Sequence, residues 1–143
     1  MEHYHIPVMG AVPSLTTAVL ASPENPPILL VQSYAPYRRM AVQIADDGLD
    51  SFGLALGNYA IFRAQGWPNA EPQVCLIAFG DDLTLRLVED IFASEPILRV
   101  AGEKIPAVRP HRNDLIVLGA LDGVIDQEFA SLEQIEPVFD WGC

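Results

Sequence analysis

Prolines and glycines divide this chain of 143 residues into short pieces, and this division limits what it can fold into. The sequence contains 12 prolines and 10 glycines. The prolines that recur through residues 1–27 exclude a long helix there. Between the breaks lie short apolar or alternating runs, and short strands separated by turns are typical of a β domain. We therefore predict a mostly β fold built of short strands and hairpins.

The predicted strands follow one another along the chain with turn residues between them. They cover residues 28–31, 40–44, 59–63, 74–79, 83–88, 97–100 and 115–125. The last of them is expected to carry a bulge at glycine, and residues 80–82 form a hairpin turn. Residues 1–27 are predicted to be irregular. Residues 89–94 form either one helical turn or a continuation of the preceding strand.

One domain is predicted over residues 1–126, followed by a tail of residues 127–143, since the length is close to that of a single domain. In the tail, the spacing of Phe129, Leu132 and Ile135 allows a short amphipathic helix. These apolar side chains either pack on the domain or offer anchors to a partner.

The charge balance excludes several classes of partner. The net charge is −11, from 8 basic and 19 acidic residues, and Lys104 is the only lysine. Nucleic-acid binding requires clustered Lys and Arg that displace counterions, so we expect no direct binding of nucleic acid. Anionic membrane surfaces are excluded for the same reason. No apolar stretch approaches the roughly 20 residues that cross a bilayer, and the N-terminus lacks the features of a signal peptide.

The two cysteines, Cys75 and Cys143, are too few for a disulfide framework. Cys75 lies inside an apolar run, so we expect a small buried thiol there. This cysteine usage is typical of a reducing compartment, and we expect the protein to be cytoplasmic.

Isolated polar residues do not define a metal or cofactor site. His3 and His5 have a spacing that can chelate a metal on a strand, but no third ligand is near them in the sequence. Asp46, Asp47 and Asp50 lack the alternating oxygen ligands and distant glutamate of a calcium loop. We interpret this acidic cluster as a solvated turn, and we expect no cofactor and no metal.

Four segments in a fixed order carry a resemblance to a known family. They are residues 6–12, residues 47–58, residues 83–87 and residues 119–125. Over residues 5–126 they resemble the C-terminal autopeptidase domain of the LexA repressor family, which UmuD-type polymerase accessory proteins share. The resemblance implies a LexA/signal-peptidase-like β domain. The repressors' N-terminal helix-turn-helix has no counterpart here, so the chain looks like the standalone accessory proteins.

The central and closing motifs match without gaps. The family's Asp-Ser-Met, Gly and Asp-Gly-Asp are similar to residues 47–49, Gly53 and residues 56–58. Its Thr-Val-Lys-Arg strand resembles residues 84–87. Its final Gly-x-x-x-Gly-Val-Ile matches residues 119–125 position for position.

The departures from the family affect its chemistry. The family cuts its own chain with a serine that a neutral lysine activates, because an attacking oxygen needs a base to take its proton. Gly48 stands at the position of the serine and has no side chain. Arg86 stands at the position of the lysine, and a guanidinium stays protonated. The family's scissile Ala-Gly falls near residues 13–15, where no Ala-Gly pair occurs. The resemblance thus implies an inactive pseudo-peptidase that is not an enzyme.

Two questions about this cleft stay open. Ser51 could serve as the nucleophile in a shifted register, or it is a turn serine that caps local backbone. Arg86 either faces solvent or points into the cleft, where its charge would need a partner. We expect Asp47 or Asp50 to be that partner.

The resemblance also implies a homodimer, since the family's domain dimerises through strands near its C-terminus. An apolar closing strand can act as a pairing edge. The candidate interface residues are Leu115, Ile116, Val117, Leu118, Gly119, Val124 and Ile125. We expect a non-catalytic module for dimerisation or protein binding, acting in transcriptional regulation or the DNA-damage (SOS) response. The alternatives are an active autopeptidase that uses Ser51 and a small-ligand-binding regulatory domain with a closed apolar pocket.

Overall fold

The computed structural model describes residues 3–19, 26–79 and 81–133, and within these ranges the chain is mostly β. The strands are, in chain order, β1 (Tyr4–Val12), β2 (Ala18–Val19), β3 (Ile28–Val31), β4 (Arg39–Ile44), β5 (Tyr59–Ala64), β6 (Gln73–Phe79), β7 (Asp82–Glu89), β8 (Ile97–Arg99), β9 (Ile116–Ile125) and β10 (Ser131–Glu133). Short 3₁₀ helices cover Asp50–Phe52 and Arg112–Asp114. The predicted fold class is confirmed. In the described ranges, no helix is long and apolar enough to span a membrane.

The strands form one sheet in the order β10-β3-β1-β4-β5-β9-β6-β7-β2, with β8 paired to β7. All neighbours are antiparallel except β1 and β4, which run parallel. The first half of β1, residues 4–7, pairs with β3, and the second half, from Val8, pairs with β4. Because β1 and β4 are parallel, they start at one end of the sheet and finish together at the other.

β1 corrects the prediction that residues 1–27 are irregular. A proline lacks an N–H and is confined in sheets to places where the ladder does not need one. Pro7 is the last residue that pairs with β3, and β4 takes over as partner at Val8. Gly10, with a φ of 141°, lies where the register shifts between Val8 and Ala11. The prolines therefore mark a change of partner and do not interrupt the strand.

Among the described residues, buried apolar side chains from both halves of the chain form three clusters. Phe62, Leu76 and Leu85 belong to the first, and all are at most 1% exposed. The second contains Cys75, whose burial confirms the prediction and raises the pKa of its thiol to about 12. At neutral pH this thiol is protonated and acts as a small apolar group.

The β6–β7 hairpin forms as predicted, although Gly80 in its turn lies outside the described residues. β7 ends at Glu89, and residues 90–94 are turns and bends in which the Ala93 N–H donates to the Asp90 carbonyl. Asp90 has a φ of 56°. This positive φ ends the strand, so neither a helical turn nor a longer strand occupies residues 90–94.

The start of the predicted tail is part of the sheet. Residues 127–129 form a turn, and β10 pairs antiparallel with β3. A helix over Phe129 and Leu132 is therefore wrong, because these residues belong to a turn and a strand. Ile135 and Cys143 lie outside the described residues.

β9 is an interior strand of the sheet, between β5 and β6. It pairs with β5 over residues 119–125 and with β6 over residues 116–120. The register skips Asp122 opposite β5 and Leu118 opposite β6, so bulges lie beside the two glycines of this strand, near where one was predicted. Both sides of β9 are paired only at residues 119 and 120, since residues 116–118 lie beside β6 alone and residues 121–125 beside β5 alone. The strand is therefore not an outer edge of the sheet, although among the described residues each of its ends has one side without a pairing strand.

Candidate functional site

The segment of residues 13–19 lies against β7 at the end of the sheet where β1 and β4 finish. The Leu85 N–H donates to the Pro13 carbonyl at 3.0 Å. The buried Thr84 hydroxyl is within hydrogen-bond distance of the carbonyl oxygens of Pro13 and Thr16, at 3.1 and 2.9 Å. Further along, β2 pairs antiparallel with the start of β7. Residues 13–15, near which the resemblance implies a cleavage site, belong to this segment. Hydrogen bonds therefore hold them against β7, the strand that carries Arg86.

Asp46 fastens the same segment from the other side. Its carboxylate accepts hydrogen bonds from the backbone N–H groups of Ser14 and Leu15 at 2.9–3.0 Å and from that of Gly48 at 3.1 Å. A carboxylate that accepts several N–H groups makes charge-assisted bonds, which are stronger than bonds between neutral groups. Asp46 thereby ties the chain after β1 to the loop after β4.

Gly48 is buried directly beside this segment. A Cβ added at Gly48 would lie 2.6 Å from the Cβ of Ser14 and 3.1 Å from side-chain atoms of Leu15. The first distance is shorter than real Cβ contacts, so a side chain at position 48 requires the segment to move. Ser14 is fully buried, and its hydroxyl has no hydrogen-bond partner among the described residues. Ser14 therefore fills the space beside the position that lacks a nucleophile.

The carboxylates beside Gly48 pair with Lys104 and not with Arg86. The Lys104 ammonium lies 3.0 Å from Asp50 Oδ1 and 3.7 Å from Asp47 Oδ2, and it also donates to the Asp47 carbonyl. The hydrogen bond to Asp50 raises the pKa of Lys104, and the same bond lowers the pKa of Asp50. The prediction that Arg86 pairs with Asp47 or Asp50 is wrong, because Lys104 is the partner of both carboxylates. A protonated Lys104 cannot take a proton from a hydroxyl.

Arg86 is half-buried, and its Nε has no hydrogen-bond partner among the described residues. Burial lowers the pKa of Arg86, while the negative charge of Asp46 acts in the opposite direction. Arg86 makes none of the salt bridges found in the described part of the chain. It therefore neither points freely into solvent nor forms the ion pair predicted for it.

Ser51 lies in the exposed 3₁₀ helix that follows Gly48, and its backbone N–H donates to the Asp50 carboxylate at 2.8 Å. Over residues 3–19, 26–79 and 81–133, its hydroxyl makes no hydrogen bond to a basic side chain. The same residues contain no group of three or more side chains suited to hold a metal ion. The local geometry is that of a serine in a turn.

The candidate interface residues of β9 differ in exposure. Leu115, Val117 and Gly119 are buried, and Ile125 is half-buried against the core. The exposed apolar side chains are Ile116 at 54%, Leu118 at 36% and Val124 at 36%.

Sequence reasoning missed two residues of this site. The sequence pattern groups Asp46 with a solvated turn, and it assigns Lys104 no contact with the acidic cluster. Nothing in the local sequence separates Asp46 from its acidic neighbours, because the donors Ser14 and Leu15 lie 32 and 31 residues away in the chain. Lys104 reaches Asp47 from 57 residues away.

A comparison with models of known protein families gives no match, and a search of curated proteins gives none either. The function must therefore be argued from the site itself and from the motif order.

Proposed function

We propose that this chain is a non-catalytic, LexA/UmuD-like pseudo-peptidase domain that acts in dimerisation or protein binding. The resemblance to the LexA repressor family implies that the proposed role is in transcriptional regulation or the DNA-damage (SOS) response. The observation that carries the proposal is the space beside Gly48, which the side chains of Ser14 and Leu15 occupy in place of a nucleophile.

The chemistry of the surrounding groups supports the absence of peptide cleavage. An acyl transfer by a hydroxyl needs a base within hydrogen-bond reach that is unprotonated at the working pH. Arg86 keeps its proton, and Lys104 is engaged by Asp50 and Asp47. The segment of residues 13–19 is held by hydrogen bonds to Asp46 on one side and to β7 on the other, and neither basic side chain could activate a nucleophile beside it.

A second copy of this chain is the partner that the proposal commits to. The exposed apolar side chains on β9, Ile116, Leu118 and Val124, lie in the part of the sequence through which the resembling family dimerises. Because β9 lies between β5 and β6 in the strand order, we propose that contact is made through these exposed side chains.

Prolonged alkaline incubation tests the catalytic half of the proposal. At a pH of about 10, part of any lysine population is neutral, which favours a serine–lysine peptidase. We expect one intact mass by mass spectrometry, both for the wild type and for Ser51→Ala. A fragment cut within residues 10–25 that disappears in Ser51→Ala would instead establish the active autopeptidase.

Sedimentation velocity over a range of concentrations tests the binding half. We expect a dimer whose dissociation constant rises at least about tenfold in Ile116→Asp, because a charge is then placed in an apolar contact. Phe92→Asp is the matched control, since Phe92 is 87% exposed in a loop outside β9. A monomer at all concentrations, or equal weakening in both variants, would reject this interface.

A further inference from the structure

An open cavity of about 330 Å³ lies at the end of the sheet opposite to Gly48. Its lining includes Tyr4, His5 and Pro7 of β1, Arg39 at the start of β4, and Tyr37 and Arg38 just before that strand. Because β1 and β4 are parallel and β4 finishes near Gly48, the two sites are separated by roughly 17 Å, the length of five strand residues. The volume is within the range of pockets that hold small ligands.

The charge of this cavity is opposite to that of the whole chain. The protein has a net charge of −11 and only 8 basic residues, yet two adjacent arginines line this cavity. No carboxylate is among its lining residues, and in the described part of the chain Arg38 and Arg39 form no salt bridge. A cavity that two arginines line, with no carboxylate among its lining residues, favours a bound anion as the counter-charge.

Contacts outside the cavity hold its polar and aromatic groups in place. Arg39 donates to the Ser33 carbonyl at 2.8 Å and to the Ser33 hydroxyl at 3.2 Å, which fixes one side of its guanidinium. The Tyr37 hydroxyl donates to the Asp122 carboxylate at 3.1 Å, and the Arg63 guanidinium lies 4.0 Å from the centre of the Tyr37 ring.

The second ring is also supported. Tyr4 packs edge-on against Tyr34 with 5.6 Å between the ring centres. The cavity therefore combines the fixed guanidinium of Arg39 with the rings of Tyr4 and Tyr37, whose orientations are fixed by contacts outside the cavity. Less entropy is then lost when a ligand binds.

We propose that this cavity binds a small ligand that carries a phosphate or carboxylate group beside an aromatic ring. Guanidinium groups bind both anions through paired N–H donors, and the tyrosine rings offer surfaces for the ligand's ring. This site is open and polar, unlike the closed apolar pocket expected of a small-ligand receptor. The proposal is independent of whether the chain dimerises or cleaves itself.

The proposal can be tested by adding phenyl phosphate, benzoate or phenol to the full chain and measuring the amide chemical shifts by NMR. We expect saturable shifts confined to residues 4–7 and 35–39 with phenyl phosphate or benzoate. The anion that binds more tightly identifies the headgroup. Phenol should bind at least about tenfold more weakly than that anion, since it lacks the charge.

Two variants that each remove one positive charge distinguish binding in this cavity from nonspecific electrostatic attraction of the anion to the protein. Arg38→Gln removes an exposed guanidinium from the lining and should weaken binding at least about tenfold. Arg109→Gln removes an exposed guanidinium that pairs with Asp90 elsewhere, and it should leave binding unchanged. Shifts that do not saturate, equal binding of phenol, or equal weakening in both variants would overturn the proposal.

Discussion

Gly119 shows how a single missing side chain can hold strands together. It pairs with Ala64 of β5 and with Leu76 of β6, in the part of β9 where both neighbours meet. A Cβ at this position would lie 2.9 Å from the Arg63 carbonyl oxygen and 2.9 Å from the Phe62 Cβ. Backbone and Cβ atoms cannot rotate away, so the close approach of β5 depends on glycine here.

Gly119→Ala is therefore expected to destabilise the fold by about 1–3 kcal/mol through overpacking. Thermal unfolding should show a melting temperature lower by roughly 3–10 °C for a domain of this size. Gly123→Ala on the same strand is the matched control, because a Cβ there meets nothing within 4 Å. Equal melting temperatures for the two variants would contradict the steric argument.

For single residues, the sequence predicted the burial of Cys75 correctly, but it predicted the wrong basic partner for Asp47 and Asp50. The apolar run around Cys75 is a local signal, so its burial could be read from adjacent residues. Ion pairs depend on which loops the fold brings together. Lys104 reaches Asp47 and Asp50 across more than 50 positions of chain, and no local pattern encodes that contact.

The segment of residues 13–19 has little regular structure of its own, since β2 has only two residues. Its position depends on the Asp46 carboxylate, the Thr84 hydroxyl and the ladder with β7. Such a short element is kept in place by a few side chains, and removing one of them should loosen all of it.

Asp46→Asn tests this dependence. The amide replaces one acceptor oxygen with a donor, so the hydrogen bonds that this oxygen accepted are lost, and those to the remaining oxygen are no longer charge-assisted. We expect a loss of about 1–3 kcal/mol in unfolding free energy and faster hydrogen exchange at these two amides.

Asp47→Asn is the control, because this neighbouring carboxylate is exposed and its side chain lies 3.7 Å from Lys104. Unchanged exchange at Ser14 and Leu15 in Asp46→Asn would contradict the role given to Asp46.

Strands that form a clear apolar or alternating run could be predicted, and those defined by distant partners could not. The observed bounds of β3 are those expected for residues 28–31, and β4, β5, β6 and β7 begin and end within a residue of theirs. β1 was missed, because the effect of a proline depends on which neighbour pairs at that position. β10 was missed because its three residues become a strand only against β3.

On the scale of the whole molecule, the parallel pairing of β1 with β4 separates two regions of different character. One end carries Gly48 with the segment of residues 13–19 packed beside it, and the other carries the arginine-lined cavity. Composition predicted the excess of negative charge, but it averages over the surface and gives no sign of a basic cavity. Only the fold brings residues 4–7 beside residues 37–39.

The contact between Gly48 and Ser14 also constrains how descendants of this sequence can vary. The Cβ of a new side chain at position 48 would lie 2.6 Å from the Ser14 Cβ, and the Ser14 Cβ can move only if the backbone of Ser14 moves. A lineage that gains a hydroxyl there must first change the residue that now fills its place. The order of substitutions is thus restricted, and a single codon change at this site is an unfavourable first step.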